Sequence, residues 1–299
     1  MKKSIYIVAA ITLGILLPQL HQLTFLIRYS LIIMLFLTFT GIRITYKQIG
    51  RAHIQAALLV VLLSFIHYWW VKLLFPDLAM VGFILGAAPT AAAAAVVANM
   101  MKLNVPFVTV STVLSNLVSV IFIPIALPLL TKEPLLVSPI FIVLQVFITL
   151  GIPLIIGQLV TNYTPKLTAK IVPLKPFSFV LFIFNMFIAS GNCSDYIQNH
   201  STVSINTILL IAGITCVIGF INFKVGEWTA PKAIKYESGL AIGRKNTMFA
   251  LWISITYVNP MVGLAPVFYL VFHNVYNSAQ LWFLERKRQT TAIENRNKN

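Results

Sequence analysis

The chain has 299 residues, of which 59% are hydrophobic and only 10% are charged, and its formal net charge is +15. A soluble globular domain carries about 25% charged residues, so this chain has too few to cover a water-facing surface. The composition therefore excludes an ordinary soluble enzyme and indicates one polytopic, all-α membrane domain. The positive charge alone would suit a nucleic-acid partner, but cytoplasmic loops of membrane proteins also collect lysine and arginine.

Apolar segments follow one another along nearly the whole chain. A spanning helix needs about 20 apolar residues, and helices are required because lipid offers the backbone no hydrogen-bond partners. We interpret the first segment as a spanning helix rather than a signal peptide, because its apolar pattern continues to Leu20. The sequence predicts ten transmembrane helices, near residues 4–20, 24–42, 53–75, 78–100, 106–130, 138–161, 176–190, 204–222, 237–257 and 260–283.

The basic residues predict the orientation of these segments. Most of the 22 lysines and arginines lie at the connections on one side, and the connections on the other side hold only Lys132. The positive-inside rule then places both termini in the cytoplasm, in a cell (inner) membrane, and accounts for the net charge without nucleic acid. Arg28 and Lys72 fall near the outer ends of their segments, where long side chains can snorkel to the interface.

The two halves of the chain share a short motif. Thr12–Ile15 in the first segment has the same sequence as Thr149–Ile152 in the sixth, and an odd number of spans separates them. Halves related in this way would have opposite orientations, as in many transporters. We therefore predict one domain, residues 1–285, made of inverted five-helix repeats 1–131 and 138–285, followed by a polar, disordered cytoplasmic tail, 286–299.

Polar or helix-breaking residues interrupt the fourth and ninth segments. In the fourth, Pro89 and Thr90 precede a run of alanines. Proline removes a helical hydrogen bond, and alanine lets another backbone approach closely. This pattern fits either a kinked, packed helix or a broken helix that lines a cavity, and we favour the broken helix.

The ninth segment carries Glu237, two glycines and the run Arg244–Asn246. A charge near the bilayer centre costs roughly 3 kcal/mol, so such residues usually face a water-filled cavity on a substrate or ion route. Alternatively, the span begins a turn later and leaves the cations at the cytoplasmic edge. That span would have about 14 residues, fewer than the roughly 20 that are needed.

The fifth segment contributes hydroxyl and amide groups. Thr112, Ser115 and Ser119 share one helical face, and Asn116 is a costlier group to bury. These groups could coordinate a solute or could only join helices to one another.

Several motifs, in this order and spacing, resemble those of the bile acid:sodium symporter family, including its bacterial members. They are Phe39–Ile44, the stretch from Ala88-Pro89 to Asn104-Val105, Thr112-x-x-Ser115 with Pro124, Pro153-x-x-x-Gly157, and His273-Asn274. The resemblance implies a panel and a core domain, discontinuous and crossing helices 4 and 9, alternating access, and transport of a small organic anion.

The sodium-binding motifs of that family are altered here. The family's Ser-Asn pair in helix four falls on Ala94-Ala95, and its Glu-x-Gly-x-Gln-Asn motif falls on Ala241, Gly243, Lys245 and Asn246. A second alignment places the acid on Glu237, but it needs a gap. Sodium needs several hard oxygen ligands, and alanine supplies none.

We therefore hypothesise that Lys245 replaces the cation and that transport is either facilitated or coupled to protonation of Lys245. Sodium is a doubtful partner, and no cofactor is expected. Glu237 is a candidate partner for the ammonium, and Arg244 could attract a carboxylate substrate.

Four other functions can be compared with this hypothesis. Arsenite export in a related family needs a cysteine in helix four, and residues 78–100 contain none. A channel would need a ring of charge or a filter repeat. An intramembrane enzyme would need a catalytic set, which the scattered histidines and Glu237 do not supply. A non-transporting receptor or sensor with a transporter fold stays open as the alternative.

Overall fold

The computed structural model describes residues 2–43, 46–131, 138–199 and 204–297, and within these ranges the regular elements are helices without strands. Ile44, Lys132 and the last two residues of the predicted tail lie outside the described residues. The α-helices are α1 (Lys2–Ile15), α2 (Phe25–Phe39), α3 (Arg51–Leu74), α4 (Ala79–Ala87), α5 (Ala93–Met100), α6 (Val105–Leu130), α7 (Pro139–Val146), α8 (Ile152–Tyr163), α9 (Pro165–Ile171), α10 (Phe177–Asn199), α11 (Ile205–Thr229), α12 (Lys235–Gly243), α13 (Thr247–Tyr257) and α14 (Pro260–Asn297).

Five helical stretches among the described residues are long and apolar enough to cross a membrane. They are α3, α6, α10, α11 and the continuous stretch Ile140–Tyr163, in which a π-helical turn, Phe147–Gly151, joins α7 to α8. They coincide with the third, fifth, sixth, seventh and eighth predicted segments. The prediction of an all-helical, multi-pass membrane protein is confirmed to this extent.

Helix α10 is longer than the predicted seventh segment, which ended at residue 190. Its last turns contain polar residues that sequence reasoning assigned to a loop. Asn192 donates to the Thr24 hydroxyl at 2.9 Å, and the Ser194 hydroxyl donates to the Ile15 carbonyl at 2.8 Å. Because neighbouring chain segments satisfy these side chains, the helix continues to Asn199.

Residues 286–297 of the predicted disordered tail are helical instead. Helix α14 runs to Asn297, and no glycine or proline follows Pro266 within it. The Arg288 guanidinium donates to the Met101 carbonyl at 2.7 Å, which fastens this extension to the end of α5.

The fourth and ninth segments are both interrupted. Helix α4 ends at Ala87, where Ala88 adopts φ −55° and ψ 132°, the extended conformation that a following proline favours. Helix α12 ends at Gly243, and Arg244 adopts φ −88° and ψ 85°. A second helix follows each break, so both segments consist of two half-helices.

Glycines hold α4 against α3 and α12 against α11. A Cβ on Gly86 would overlap the Ser64 backbone of α3, and a Cβ on Gly226 of α11 would overlap the backbone of Ser238 and Gly239 in α12. Small residues let membrane helices approach closely. These contacts position the first half of each broken helix.

Candidate transport site

The two helix breaks meet in the interior of the protein. The Ala91 backbone N–H donates to the Arg244 carbonyl at 2.7 Å, and the Asn246 N–H donates to the Pro89 carbonyl at 2.7 Å. These bonds form an antiparallel bridge between Thr90 and Lys245. Each break therefore supplies the backbone partners that the other has lost, as buried peptide groups require.

The two central side chains of the bridge make reciprocal contacts. The Lys245 ammonium donates to the Gly86 carbonyl at 2.7 Å, and the Thr90 hydroxyl donates to the Ala241 carbonyl. Each acceptor lies four residues before the opposite bridge residue, in the last turn of a half-helix. Such carbonyls lack intrahelical partners and carry the negative end of the helix dipole. The Lys245 ammonium at the end of α4 and the Thr90 hydroxyl at the end of α12 therefore occupy equivalent positions.

Lys245 is only 1% exposed, and among the described residues no acidic side chain forms an ion pair with it. The predicted partnership with Glu237 is wrong. The Glu237 carboxylate accepts from the Asn104 backbone N–H at 2.9 Å instead. Because α12 ends at Gly243, the two side chains do not share the face of a regular helix.

Helix α6 holds the break in the fourth segment through three polar side chains. The Ser115 hydroxyl oxygen accepts from the Thr90 N–H at 3.0 Å, and the Ser119 hydroxyl donates to the Ala87 carbonyl at 3.1 Å. The Asn116 amide donates to the Thr90 carbonyl at 3.3 Å. Thr112 donates to the Val108 carbonyl of its own helix at 2.8 Å. Three of these four residues thus contact the crossing directly.

The neighbours of Lys245 also have structural partners. The Arg244 guanidinium is buried and donates to the side-chain oxygens of Asn274 and Asn277 in α14. The Asn246 side chain accepts from the Phe249 N–H at 3.2 Å and so caps α13.

The expectation that Arg244–Asn246 lines a water-filled cavity differs from the structure, because all three residues are buried. Protein groups supply several of the hydrogen-bond partners that water was expected to provide, while the Nε of Arg244 has none among the described residues. Of the three alanines that were predicted to align with family sodium ligands, Ala94 and Ala241 are buried and Ala95 is partly exposed.

A directional chain of hydrogen bonds ends at the break of the ninth segment, and sequence reasoning missed it. The Trp70 indole donates to Nδ1 of His67 at 2.9 Å, so Nε2 of His67 carries the proton and donates to Asn222 at 3.0 Å. Asn222 donates to the Tyr269 hydroxyl, which donates to the Gly243 carbonyl at 2.7 Å. This series of hydrogen bonds, whose side chains come from α3, α11 and α14, provides a donor to the last carbonyl of α12.

A cavity of about 1080 Å³ lies at the end of the bundle where α1 connects to α2, and we call it the end cavity. Its walls include the cation of Arg28 and several aromatic rings. Arg28, which was predicted to snorkel to the lipid interface, is partly exposed and lines this cavity. The ammonium of Lys72, in contrast, lies 4.7 Å from the Trp69 ring centroid and does not line the cavity.

The architecture and the crossing of two interrupted helices define a multi-pass membrane protein of the carrier type. Residues 22–200 match the model of the sodium bile acid symporter family, and the chain belongs to this family. The protein named "Uncharacterized sodium-dependent transporter YocS" from Bacillus subtilis (strain 168) is 26% identical over 224 residues, which cover 73% of this chain and 68% of that protein. Both findings support a transporter rather than an enzyme.

Proposed function

We propose that this protein carries a small organic anion across the cell membrane by alternating access, without sodium, and that Lys245 serves as a built-in cation. The observation that carries the proposal is the contact between the buried Lys245 ammonium and the Gly86 carbonyl, at the crossing of the broken helices. The ammonium places a fixed positive charge where a metal ion would otherwise be needed.

The oxygen atoms at the crossing support the absence of sodium. Four carbonyls here already accept hydrogen bonds from side chains. Lys245 donates to Gly86 and Ser119 donates to Ala87. Thr90 donates to Ala241 and Tyr269 donates to Gly243. Sodium needs several hard oxygen ligands, and these four already have protein donors. YocS is called sodium-dependent in its name, so the proposal predicts that coupling differs between the two proteins.

The proposal includes ten spanning helices in two inverted repeats, with both termini in the cytoplasm. The reciprocal contacts of Thr90 and Lys245 support the repeats, since each half caps the other in the same way. In this topology the end cavity opens to the outside, so this conformation would receive substrate from outside.

The test is uptake of labelled cholate, pantoate and pyruvate into vesicles reconstituted with the purified protein. We expect at least one anion to enter at the same rate when choline replaces sodium. Imposing a pH gradient then separates facilitated transport from a form coupled to protonation of Lys245. Strict dependence on sodium for every transported anion would refute the built-in cation.

A receptor or sensor is the second candidate, because the cations at the crossing are buried and already bonded within the protein. Saturable binding of one of these anions, without exchange of labelled for unlabelled anion across the vesicle membrane, would favour this function.

A further inference from the structure

The end cavity has an aromatic lining that is suited to an apolar body. Its lining brings together side chains from α2, α3, the α7–α8 stretch and α13, and the aromatic members include Phe25, Tyr29, Tyr68, Phe141, Trp252 and Tyr257. Ligand pockets of about 300–1,000 Å³ bury most of a drug-sized molecule. The cavity, at about 1080 Å³, is large enough for such a ligand.

Arg28 is held in this cavity by one of its three guanidinium nitrogens. Its Nε donates to the Thr149 hydroxyl at 3.1 Å, and that hydroxyl in turn donates to the Gln145 carbonyl at 2.7 Å. Thr149 lies in the π-helical turn Phe147–Gly151, a rare distortion that is frequent at functional sites. The turn therefore orients the Arg28 guanidinium through the Thr149 hydroxyl.

The other two nitrogens of Arg28 remain available to a ligand. Within the described ranges no hydrogen bond or ion pair engages either Nη group, and the guanidinium carbon lies 5.9 Å from the Trp252 ring centroid. Two parallel N–H groups match the two oxygens of a carboxylate. The Trp252 ring beside them can contact the first apolar atoms of the same molecule.

We propose that Arg28 is the anion-recognition residue of the end cavity and that its two Nη groups bind a carboxylate of the ligand. The inference rests on the proposed function in taking this ligand as the transported substrate, but the binding itself does not depend on Lys245.

The test uses quenching of tryptophan fluorescence by 4-bromobenzoate, because a bromine atom close to Trp252 quenches its emission. The full-length protein is titrated in neutral detergent with choline as the cation. The neutral isostere 4-bromobenzamide reports binding that does not need the charge. Lys72→Gln is the matched control, because it removes another cation of the same region that does not line the cavity.

We expect saturable quenching by 4-bromobenzoate in the wild type and in Lys72→Gln, and at least tenfold weaker binding in Arg28→Gln. Arg28→Lys keeps the charge but loses the fork, so its binding should lie between the two. This variant also keeps the test decisive if Arg28→Gln does not fold. We expect no saturable quenching by 4-bromobenzamide.

Equal affinity of Arg28→Gln and the wild type would overturn the proposal. It would also be overturned if 4-bromobenzamide bound as well as 4-bromobenzoate, or if the wild type showed no saturable quenching. These failures differ from that of the proposed function, which appears as sodium-dependent uptake and would leave Arg28 as an anion site.

Discussion

Replacing Lys245 separates the role of its charge from the role of its hydrogen bond. Lys245→Met keeps a long, unbranched side chain but removes both the ammonium and the donor to the Gly86 carbonyl. Lys245→Gln also removes the charge, but its amide can still donate, and it adds a side-chain oxygen. The pair of variants therefore differs in the oxygen that a sodium ion would use.

The expected change in stability without sodium is small, because two large terms oppose each other. A hydrogen bond from a charged donor contributes about 1.5–3 kcal/mol to stability. Burying an unpaired ammonium costs several kcal/mol, and Lys245 is 1% exposed with no acidic partner among the described residues. We therefore expect both variants to lie within about 2 kcal/mol of the wild type in choline.

Sodium should stabilise most strongly the variant that has both lost the charge and gained the oxygen. With a dissociation constant of about 10 mM and sodium at about 150 mM, binding to the folded state alone would add about 1.6 kcal/mol. We expect an effect of this size in Lys245→Gln, a smaller one in Lys245→Met, and none in the wild type.

The assay is unfolding of the purified protein in detergent, followed by tryptophan fluorescence, in matched sodium and choline chloride. If sodium stabilises the wild type as strongly as Lys245→Gln, the ammonium does not replace the ion. If neither protein responds, the charge of Lys245 is not what keeps sodium away. Either result would refute the reasoning.

Two further predictions concern the stability of the crossing, measured by the same unfolding assay. Thr90→Val should lower the free energy of unfolding by about 1–3 kcal/mol, because the buried Ala241 carbonyl loses its donor. Thr112→Val removes only a hydrogen bond within its own helix and should change the free energy of unfolding by less than about 0.5 kcal/mol. Gly86→Ala should cost about 1–3 kcal/mol, because the new methyl group overlaps the Ser64 backbone. Gly213→Ala, which meets open space, should instead stabilise its helix by roughly 0.5–1 kcal/mol. Equal effects within either pair would contradict the corresponding contact.

The membrane class and the positions of both helix breaks could be predicted from residue types. Pro89 removes a helical hydrogen bond in the middle of its segment and so favours a break there, and two cations in an apolar segment demand a special environment in any fold. The lengths of α10 and α14 could not be predicted. Asn192 and Ser194 look like loop residues until the neighbouring chain that accepts their hydrogen bonds is known.

The partners of the site residues were decided by the tertiary structure. Glu237 and Lys245 are close in sequence, but the break between them directs the carboxylate to Asn104 and the ammonium to Gly86. Arg28 carried no motif that distinguished it from a lipid-facing arginine. Its position in the end cavity depends on the π-helical turn of another segment.

The sequence by itself therefore determined that this chain crosses a membrane and where two of its helices break, and it predicted which family oxygen ligands are missing. These properties follow from composition, proline chemistry and residue identity, which are local. Only the tertiary structure decided that the two breaks cap each other and that Arg28 faces a cavity. Those contacts join residues more than 100 positions apart in the chain, and they depend on how the helices pack rather than on any neighbouring residue.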